Sequence, residues 1–449
     1  MALFFERMMI KMERKHLIYN PEMECIDREQ LKVIQGERLR ETVKLTYENV
    51  PLFRKRMDEK GVKPEDIKSV DDIVLLPFTE KTDLRDEFPF GLLAAPKSEI
   101  VRIQGSSGTT GKPIVSGYTE NDVEVWTEMV ARSLAGAGCG KDDVVQVCYG
   151  YGLFTGGLGA HQGATRLGAM TIPMSSGNTQ RQIMMMQELG STILCCTPSY
   201  ATYLGETIRD MGLDPKKDLK LKAGVFGAEP WTEEMRKRIE ELLGLDACDI
   251  YGLTEIAGPG VAFECLEKKG MHVNEDHVIP EIIDPVTEKQ LPYGTPGELV
   301  FTTITKTGMP MIRYRTHDIC TLYVDKCECG RTLVRMGRIT GRTDDMIVIR
   351  GVNVFPSQIE SVLVRTNGVA PHYVLVVDRV NSTDTLEVKV ELTEDMFSDT
   401  VAHIEEVKNV ISSEIKSVVG VQAKISLVPP KSLPRSEGKA KRVIDNRKL

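Results

Sequence analysis

Hydrophobic and polar residues alternate along this chain with two different periods. Between residues 28 and 60, apolar side chains recur at helical spacing among charged ones, which predicts a helical segment. Further along, short β-rich runs alternate with amphipathic stretches, one of which is helix-like and covers residues 199–211. The β-rich runs cover residues 144–148, 169–172, 192–196 and 223–226. Strands and helices that alternate in this way predict an α/β domain with mostly parallel sheets.

The pattern changes in the last quarter of the chain. Residues 298–323 are strand-rich, and beyond residue 344 strand-like and helical segments mix on a smaller scale. There we predict strands at residues 346–350, 373–377, 386–392 and 423–428, and helices at residues 358–364 and 401–419. We therefore predict a large N-terminal α/β domain of residues 1–343, with β-sheets flanked by helices, and a small α+β C-terminal domain of residues 344–449.

Composition narrows the class of protein. The chain has 449 residues, 41% hydrophobic and 27% charged, with a formal net charge of −8, which disfavours nucleic-acid binding. Its apolar runs are too short to span a membrane, and Glu6 and Arg7 interrupt the apolar N-terminus, so we expect no membrane contact and no signal peptide. Ten cysteines without an evident disulfide framework suit a reducing cytoplasm. The oligomeric state stays open, with a homodimer as one option.

A glycine loop rich in hydroxyl groups lies between strand-like segments at residues 104–113. Glycines let backbone N–H groups approach an anion, while the hydroxyls and a lysine add donors and positive charge. The loop differs from a P-loop, because Ser106 stands where a glycine is needed and Pro113 follows the lysine. We predict a polyphosphate site, since apolar flanks argue against a flexible linker. The predicted phosphate ligands are Ser106, Ser107, Thr109, Thr110 and Lys112.

Residues 106–113 resemble the phosphate loop of the adenylate-forming acyl-CoA ligases, a superfamily that includes nonribosomal peptide adenylation domains and luciferases. Further segments resemble that superfamily's motifs in the same order, namely residues 251–255, 314–318, 341–344 and 433–439. The chain is more similar still to the phenylacetate-CoA ligases. That similarity is carried by residues 227–231, 350–356 and 435–445. The matches cover nearly the whole chain, so this family's fold and activity are expected.

The resemblance implies an ATP-dependent reaction in two halves. The carboxylate of an aryl-acetic acid, with phenylacetate the first choice, attacks the α-phosphorus of ATP and gives an acyl-adenylate and pyrophosphate. The thiol of coenzyme A then attacks the activated carbonyl and expels AMP. Both halves need positioning and charge neutralisation more than a protein nucleophile.

The resemblance also implies a role for each matching residue. Glu255 is expected to hold Mg²⁺ and Thr254 to contact the α-phosphate. Asp318 is expected to accept hydrogen bonds from the ribose hydroxyls, with Arg342 beside it. Lys439 is expected to bridge the attacking carboxylate and the α-phosphate. The residues expected to frame the adenine are Gly227, Ala228, Glu229, Asp249, Tyr251 and Gly252.

The two halves need different surroundings, and the family alternates between them by rotating its small domain. Asp344 matches the hinge position of this rotation. Arg350 and Gly351 are expected to approach the pantetheine arm of coenzyme A, where a glycine leaves the tunnel open. A simple hairpin turn at Gly351 is an alternative that is compatible with this role.

Aromatic residues and glycines share one segment at residues 149–159. A flat aromatic acid would stack on such side chains in the space that the glycines leave. We predict an acyl pocket from Tyr149, Tyr151, Phe154 and Gly156, although the same composition would suit an ordinary joint between a strand and a helix.

Three cysteines and a histidine have spacings that suit a metal site. Cys265 precedes His272 within a polar segment, and Cys327 and Cys329 form a Cys-x-Cys pair before a glycine. Three thiolates and an imidazole would hold a structural Zn²⁺ with no open position. The alternative is that the four residues are unrelated.

Two other functions remain open. An adenylyltransferase of the same fold, similar to the cofactor F390 synthetases, would stop at the adenylate or transfer AMP to another acceptor. A nucleotide-binding module without chemistry is a second alternative, but Glu255, Asp318 and Lys439 are all present and argue against it.

Overall fold

The computed structural model describes residues 16–106, 114–343, 347–350, 352–380, 383–397, 401–434 and 442–447. Several predicted site residues lie outside these ranges, namely Ser107, Thr109, Thr110, Lys112, Asp344, Gly351 and Lys439. Their roles stay predictions from the sequence. Within the described ranges, no helix has the length and apolar character needed to cross a membrane.

The strands before residue 344 form a hairpin and two larger sheets. They are β1 (Arg102–Gly105), β2 (Val115–Tyr118), β3 (Val144–Val147), β4 (Met170–Pro173), β5 (Ile193–Cys196), β6 (Ala223–Gly227), β7 (Asp246–Leu253), β8 (Gly258–Glu264), β9 (Met271–Val273), β10 (Val278–Ile283), β11 (Gly297–Thr303), β12 (Tyr314–Cys320), β13 (Leu322–Tyr323), β14 (Arg335–Met336) and β15 (Gly341–Arg342). The hairpin pairs β1 with β2, and the loop of residues 107–113 connects these two strands.

The main sheet has the strand order β13-β14-β9-β8-β7-β6-β5-β3-β4. From β4 to β7 neighbouring strands are parallel, as the sequence pattern predicts. From β7 to β13 they are antiparallel, so the prediction of mostly parallel sheets is correct for one part of this sheet and wrong for the other. The second sheet, β10-β11-β12-β15, is antiparallel throughout.

Helices cover both faces of the parallel strands. Those before residue 344 are α1 (Pro21–Glu24), α2 (Arg28–Asn49), α3 (Pro51–Glu59), α4 (Lys81–Asp86), α5 (Glu120–Gly136), α6 (Thr155–Arg166), α7 (Thr179–Leu189), α8 (Pro198–Asp210), α9 (Pro215–Asp218) and α10 (Glu233–Leu243), with 3-10 turns at Pro64–Asp66, Val70–Leu75 and Lys97–Glu99. In β5, Ile193 and Cys195 belong to the core with α5 and α6, whereas Leu194 and Cys196 belong to the core with α7, α8 and α10. Burial on both faces explains why these strands read as unbroken apolar runs.

The helical segment predicted at residues 28–60 is in fact two helices. Val50 has an extended backbone, with φ −113° and ψ 105°, and Pro51 begins the second helix. A proline disfavours helical geometry in the residue before it and is well tolerated in a first helical turn. The break therefore follows from the proline that the apolar spacing ignores.

The C-terminal part has its own sheet and its own core. Its elements are β16 (Ile347–Ile349), β17 (Val352–Val354), α11 (Pro356–Arg365), β18 (Val369–Val380), β19 (Thr383–Leu392), α12 (Glu394–Phe397), α13 (Val401–Val419), β20 (Lys424–Val428) and β21 (Val443–Asp445). Four of these strands form one sheet in the order β20-β19-β18-β21, and β16 pairs with β17. Its buried apolar residues, such as Leu375, Val388 and Ile411, form a cluster separate from those of the rest of the chain. The domain boundary at residue 344 stays a prediction, because it falls outside the described residues.

Candidate active site

Asp318 and Arg342 face each other on paired strands. The register of β12 and β15 sets them opposite one another, and Arg342 Nη1 lies 2.6 Å from Asp318 Oδ1. The Tyr251 hydroxyl donates to Asp318 Oδ2 at 2.6 Å. Burial and the neighbouring carboxylate raise the pKa of Tyr251, so its hydroxyl remains a donor. Groups from the two large sheets thus hold a carboxylate that is 4% exposed.

Glu255 lies next to this pair. Its carboxylate is buried, and the Tyr314 hydroxyl donates to its Oε1 at 3.3 Å. Burial and Glu255 together raise the pKa of Tyr314, which keeps that hydroxyl protonated. The main-chain oxygen of Thr254 accepts a hydrogen bond from the Tyr118 hydroxyl at 2.8 Å. Tyr314 and Asp318 share strand β12, so one strand carries the groups that position both predicted nucleotide contacts.

Lys306 belongs to this site although the sequence did not reveal it. Its Nζ donates to Ser116 Oγ at 2.7 Å and to the main-chain oxygen of Glu255 at 2.9 Å. The amine also lies 4.6 Å from the centre of the Tyr118 ring. Burial lowers the pKa of Lys306 to about 8, although Asp122 and Glu255 act in the opposite direction. Because a lysine in a polar loop usually lies in solvent, no sequence pattern pointed to it.

The base of the predicted phosphate loop is a hydrogen-bonded hairpin. The backbone N–H of Ser106 donates to the main-chain oxygen of Ile114 at 2.9 Å, and Ser106 Oγ accepts from the N–H of Ile114 at 3.4 Å. The N–H of Gly105 donates to the main-chain oxygen of Leu153 at 2.8 Å. The loop is therefore anchored next to the aromatic and glycine-rich segment.

The first three residues of the adenine motif adopt a constrained backbone. A Cβ atom at Gly227 would lie 2.1 Å from the main-chain oxygen of Ile250, so only glycine fits between β6 and β7. Ala228 has φ 72°, in the left-handed region that side chains rarely adopt. Glu229 Oε1 accepts a hydrogen bond from the N–H of Ser199 at 2.7 Å. Such local strain is typical of binding sites.

Asp249 and Gly252 lie further along on β7. The N–H of Asp249 donates to Glu264 Oε2 at 2.8 Å, and burial together with Glu264 raises the pKa of Asp249 to about 7. A Cβ atom at Gly252 would lie 1.8 Å from the main-chain oxygen of Gly258. The glycine thus permits a close approach of β7 and β8 near the end of the motif.

The predicted acyl-pocket residues have different environments. Tyr149 is buried, and its ring would be 3.2 Å from a Cβ atom at Gly156, so these two residues pack together. Tyr151 Oη lies 3.2 Å from Nδ1 of His161, in the middle of α6. Phe154, in contrast, is 51% exposed. The four residues belong to one short segment of the chain, and this segment lies next to the β1–β2 hairpin.

Arg350 is described and Gly351 is not. Ile349 pairs with Val352, so Arg350 lies in the turn of the β16–β17 hairpin. It is exposed, and its Nη2 donates to the main-chain oxygen of Gln422 at 2.9 Å. The role of Gly351 in the turn and the contact of both residues with coenzyme A stay predictions.

The three cysteines and the histidine come together in one buried cluster. The four ligand atoms lie within 4.8 Å of one another. Cys265 and Cys327 have their sulfurs 3.8 Å apart, and His272 Nε2 lies 3.4 Å from Cys265 Sγ and 3.5 Å from Cys329 Sγ. Although Cys265 and His272 belong to a polar segment, both side chains are buried and at most 1% exposed.

These distances fit a tetrahedral zinc site. Bonds of about 2.3 Å to sulfur and about 2.0 Å to nitrogen place two tetrahedral sulfurs about 3.8 Å apart and a sulfur and a nitrogen about 3.5 Å apart. A disulfide is excluded at the Cys265–Cys327 separation of 3.8 Å, since its sulfurs would be about 2.0 Å apart.

Two sequence families match this chain. The AMP-binding enzyme family matches residues 6–307, and the AMP-binding enzyme C-terminal domain matches residues 351–447. A curated relative from Thermus thermophilus, named phenylacetate-coenzyme A ligase, is 49% identical over 446 residues, which cover 96% of this chain and 100% of the relative. These matches confirm the predicted family and the predicted fold class.

Solved structures of one ligase match the chain in more than one state. A crystal structure of 2-hydroxyisobutyryl-CoA ligase in the postadenylation state with 2-HIB-AMP is 31% identical, covers 95% of this chain and 92% of its own, and has a TM-score of 0.89. The same ligase in the thioesterification state with 2-HIB-AMP and CoA is 32% identical over the same shares, with a TM-score of 0.71. The chain therefore shares more of its overall arrangement with the first state.

Proposed function

The chain belongs to the family of AMP-binding enzymes, and we propose that it is an ATP-dependent ligase that converts an aryl-acetic acid, most of all phenylacetate, to its coenzyme A thioester through an acyl-adenylate. The observation that carries this proposal is the 49% identity to a phenylacetate-coenzyme A ligase over that relative's whole length. The arrangement of Asp318, Glu255 and Lys306 in one buried site supports it.

We propose that Asp318 binds the ribose of the nucleotide. Tyr251 and Arg342 each donate to one oxygen of the carboxylate and so fix its orientation. A carboxylate accepts several hydrogen bonds at once, so this group is chemically suited to accept from the ribose hydroxyls. The motif of Gly227, Ala228 and Glu229 lies at the end of β6, beside β7, which carries Tyr251, and would frame the adenine.

Mg²⁺ fits the Glu255 carboxylate, because a hard cation prefers oxygen ligands and the Tyr314 hydroxyl adds an oxygen 3.3 Å from Glu255 Oε1. When bound, the ion would neutralise charge on the phosphates of ATP. Lys306 donates to the main chain of Glu255 and to Ser116 of β2, so it connects the Glu255 segment with that strand. Thr254 would then contact the α-phosphate.

In the first half of the reaction, an oxygen of the substrate carboxylate attacks the α-phosphorus and pyrophosphate leaves. Lys439, which lies outside the described residues, would neutralise the two groups as they meet. In the second half, the sulfur of coenzyme A attacks the acyl carbon, AMP leaves, and the thiol proton is lost. Tyr149, Tyr151 and Gly156 would line the space for the aromatic ring, with the exposed Phe154 at its edge.

We further propose that the described structure has its small domain in the arrangement used for adenylation. The higher TM-score to the postadenylation state of the related ligase supports this. Rotation about Asp344 would then bring Arg350 and Gly351 to the pantetheine arm of coenzyme A. The homodimer and the cytoplasmic location stay predictions.

We also propose that Cys265, His272, Cys327 and Cys329 hold a structural Zn²⁺. The separations of their ligand atoms match a tetrahedral site, and all four side chains are buried. Protein groups supply every ligand, so the metal would stabilise the fold and would take no part in the reaction.

The experiment that tests the proposed function measures AMP formation with a panel of carboxylic acids, with and without coenzyme A. We expect AMP release that depends on coenzyme A and is fastest with phenylacetate, with benzoate and hexanoate as size and shape controls. Pyrophosphate release without free AMP, whether or not coenzyme A is present, would instead favour the adenylyltransferase. No turnover with any acid, but intact binding of ATP, would favour the nucleotide-binding module.

We expect the substitution Asp318→Ala to weaken ATP binding by roughly ten- to hundredfold. Charge-assisted hydrogen bonds are worth about 1.5–3 kcal/mol, and both ribose hydroxyls would lose their acceptor. Calorimetric titration with ATP or AMP measures the effect. Tyr251→Phe is the matched control, because it removes one hydrogen bond to the carboxylate and leaves the acceptor in place. An unchanged dissociation constant for Asp318→Ala would remove this residue from the ribose site.

A further inference from the structure

Among the described residues, several polar contacts between the small and the large domain involve one helix. Helix α11 of the small domain packs against α10. Beside this contact, α8 of the large domain offers Ser199 near its start and Glu206 in its third turn. Each of them bonds to a residue of the small domain.

Glu206 receives one hydrogen bond from each domain. Arg238 of α10 donates to its Oε1 at 3.0 Å, and His372 of β18 lies with Nε2 3.3 Å from its Oε2. The Glu206–His372 pair is largely buried. Only 17% of the Glu206 side chain and 11% of the His372 side chain are exposed. Burial would raise the pKa of Glu206, but His372 and Arg238 lower it to about 2. The large domain thus presents a fixed carboxylate to the small domain.

Arg442 makes the second contact. Its Nη2 donates to Ser199 Oγ at 3.3 Å, while its guanidinium lies 4.5 Å from the centre of the Tyr373 ring and 3.7 Å from the Glu360 carboxylate. Ser199 in turn donates its N–H to Glu229 of the predicted adenine motif. One side chain therefore connects the small domain to the wall of the nucleotide site.

The position of Arg442 in the chain links this contact to Lys439. Arg442 begins the segment that continues into β21, and it follows Lys439 by three residues. Three residues of chain span at most about 10 Å. Lys439 is therefore tethered by a short stretch of chain to the docked Arg442.

We propose that the docking contacts Glu206–His372 and Ser199–Arg442 hold the small domain in the adenylation arrangement, and that these four are positioning residues for the first half of the reaction. This inference rests on the proposed function. Any rotation that carries β18 and Arg442 away from α8 breaks both contacts, so they favour one arrangement only. The pairs do not touch the reacting atoms and act by keeping Lys439 in place.

The test separates the two halves of the reaction in Glu206→Gln, His372→Ala and the double variant. We expect the kcat of ATP–pyrophosphate exchange to fall about threefold to tenfold in each, as for a partly buried pair, with the KM for ATP unchanged. Thioester formation from preformed phenylacetyl-adenylate and coenzyme A should be unchanged or faster. The double variant should be no slower than either single one, because the two residues act as a pair.

Arg379→Ala is the matched control, since Arg379 pairs with Asp384 inside the small domain and should leave both half-reactions unchanged. Ser199→Ala removes the other contact, keeps the N–H bond to Glu229 and leaves the small domain intact, so it decides the outcome if Glu206→Gln lowers the melting temperature. An unchanged exchange rate, or equal losses in both halves, overturns the proposal. A wild-type protein that forms no thioester counts against the proposed function instead.

Discussion

Lys439→Ala is expected to reduce acyl-adenylate formation by about 100- to 1,000-fold and to leave the second half-reaction within about threefold of the wild type. Removing a group that stabilises charge in a transition state costs about this much. Lys439 is expected at the meeting point of the carboxylate and the α-phosphate, both of which are negative. Thioester formation from a preformed adenylate does not bring two negative groups together. In the rotated arrangement, the lysine would also lie away from the reacting groups.

Pyrophosphate exchange with phenylacetate measures the first half, and thioester formation from phenylacetyl-adenylate measures the second. Lys408→Ala is the control, because it removes a lysine of the small domain whose Nζ pairs with Glu405 at 3.1 Å on the surface of the same helix. That variant should stay within about twofold of the wild type in both assays. If Lys439→Ala lost the two half-reactions to the same extent, the assignment of this lysine would be wrong.

Much of the fold could be predicted from the sequence because its signals are local. The buried strands β5 and β6 read as apolar runs, and α13 shows apolar residues at helical spacing. The antiparallel part of the main sheet was missed, since pairing between β7, β8 and β9 depends on tight turns and not on periodicity. The break at Pro51 was visible in the sequence, but the apolar spacing on either side concealed it.

The candidate site was predictable only where a motif marks it. The segments around Glu255 and Asp318 pointed to the family, which the comparisons confirm. Lys306 gave no signal, because its burial depends on Ser116, 190 positions away in the chain. The contact between Glu206 and His372 joins residues 166 positions apart and was equally invisible. Pairs of this kind follow from the packing of whole domains, which no local pattern encodes.

The cysteine cluster is also connected to residues far from it in the sequence. Arg331, two residues after Cys329, is fully buried and donates to Cys329 Sγ at 3.7 Å, to Glu24 Oε2 at 2.6 Å and to the main-chain oxygen of Leu17 at 2.8 Å. The knuckle formed by Cys327 and Cys329 therefore holds the first described segment of the chain. A metal at this site would fix that segment as well as its own ligands.

Protein purified without added zinc is expected to contain about one Zn²⁺ per chain, and Cys327→Ser combined with Cys329→Ser should abolish it. A closed site binds metal only when its ligands are folded together, so the metal's binding free energy contributes to folding. We expect the double variant to lose about 4 kcal/mol or more of stability and to melt about 8 °C or more lower.

Metal analysis and thermal unfolding test this together, and Cys25→Ser, a half-buried cysteine outside the cluster, should keep both the zinc and the melting temperature. Below its melting point the double variant should retain its rate of thioester formation, because a metal with four protein ligands would have no open position and Glu255 is the residue proposed to hold Mg²⁺ at the phosphates. Proteolysis should cut the double variant first near residues 17–26, since Arg331 loses its fixed neighbour and releases that segment. Wild-type protein free of zinc, with a melting temperature equal to that of the double variant, would show that the four residues are neighbours without a metal.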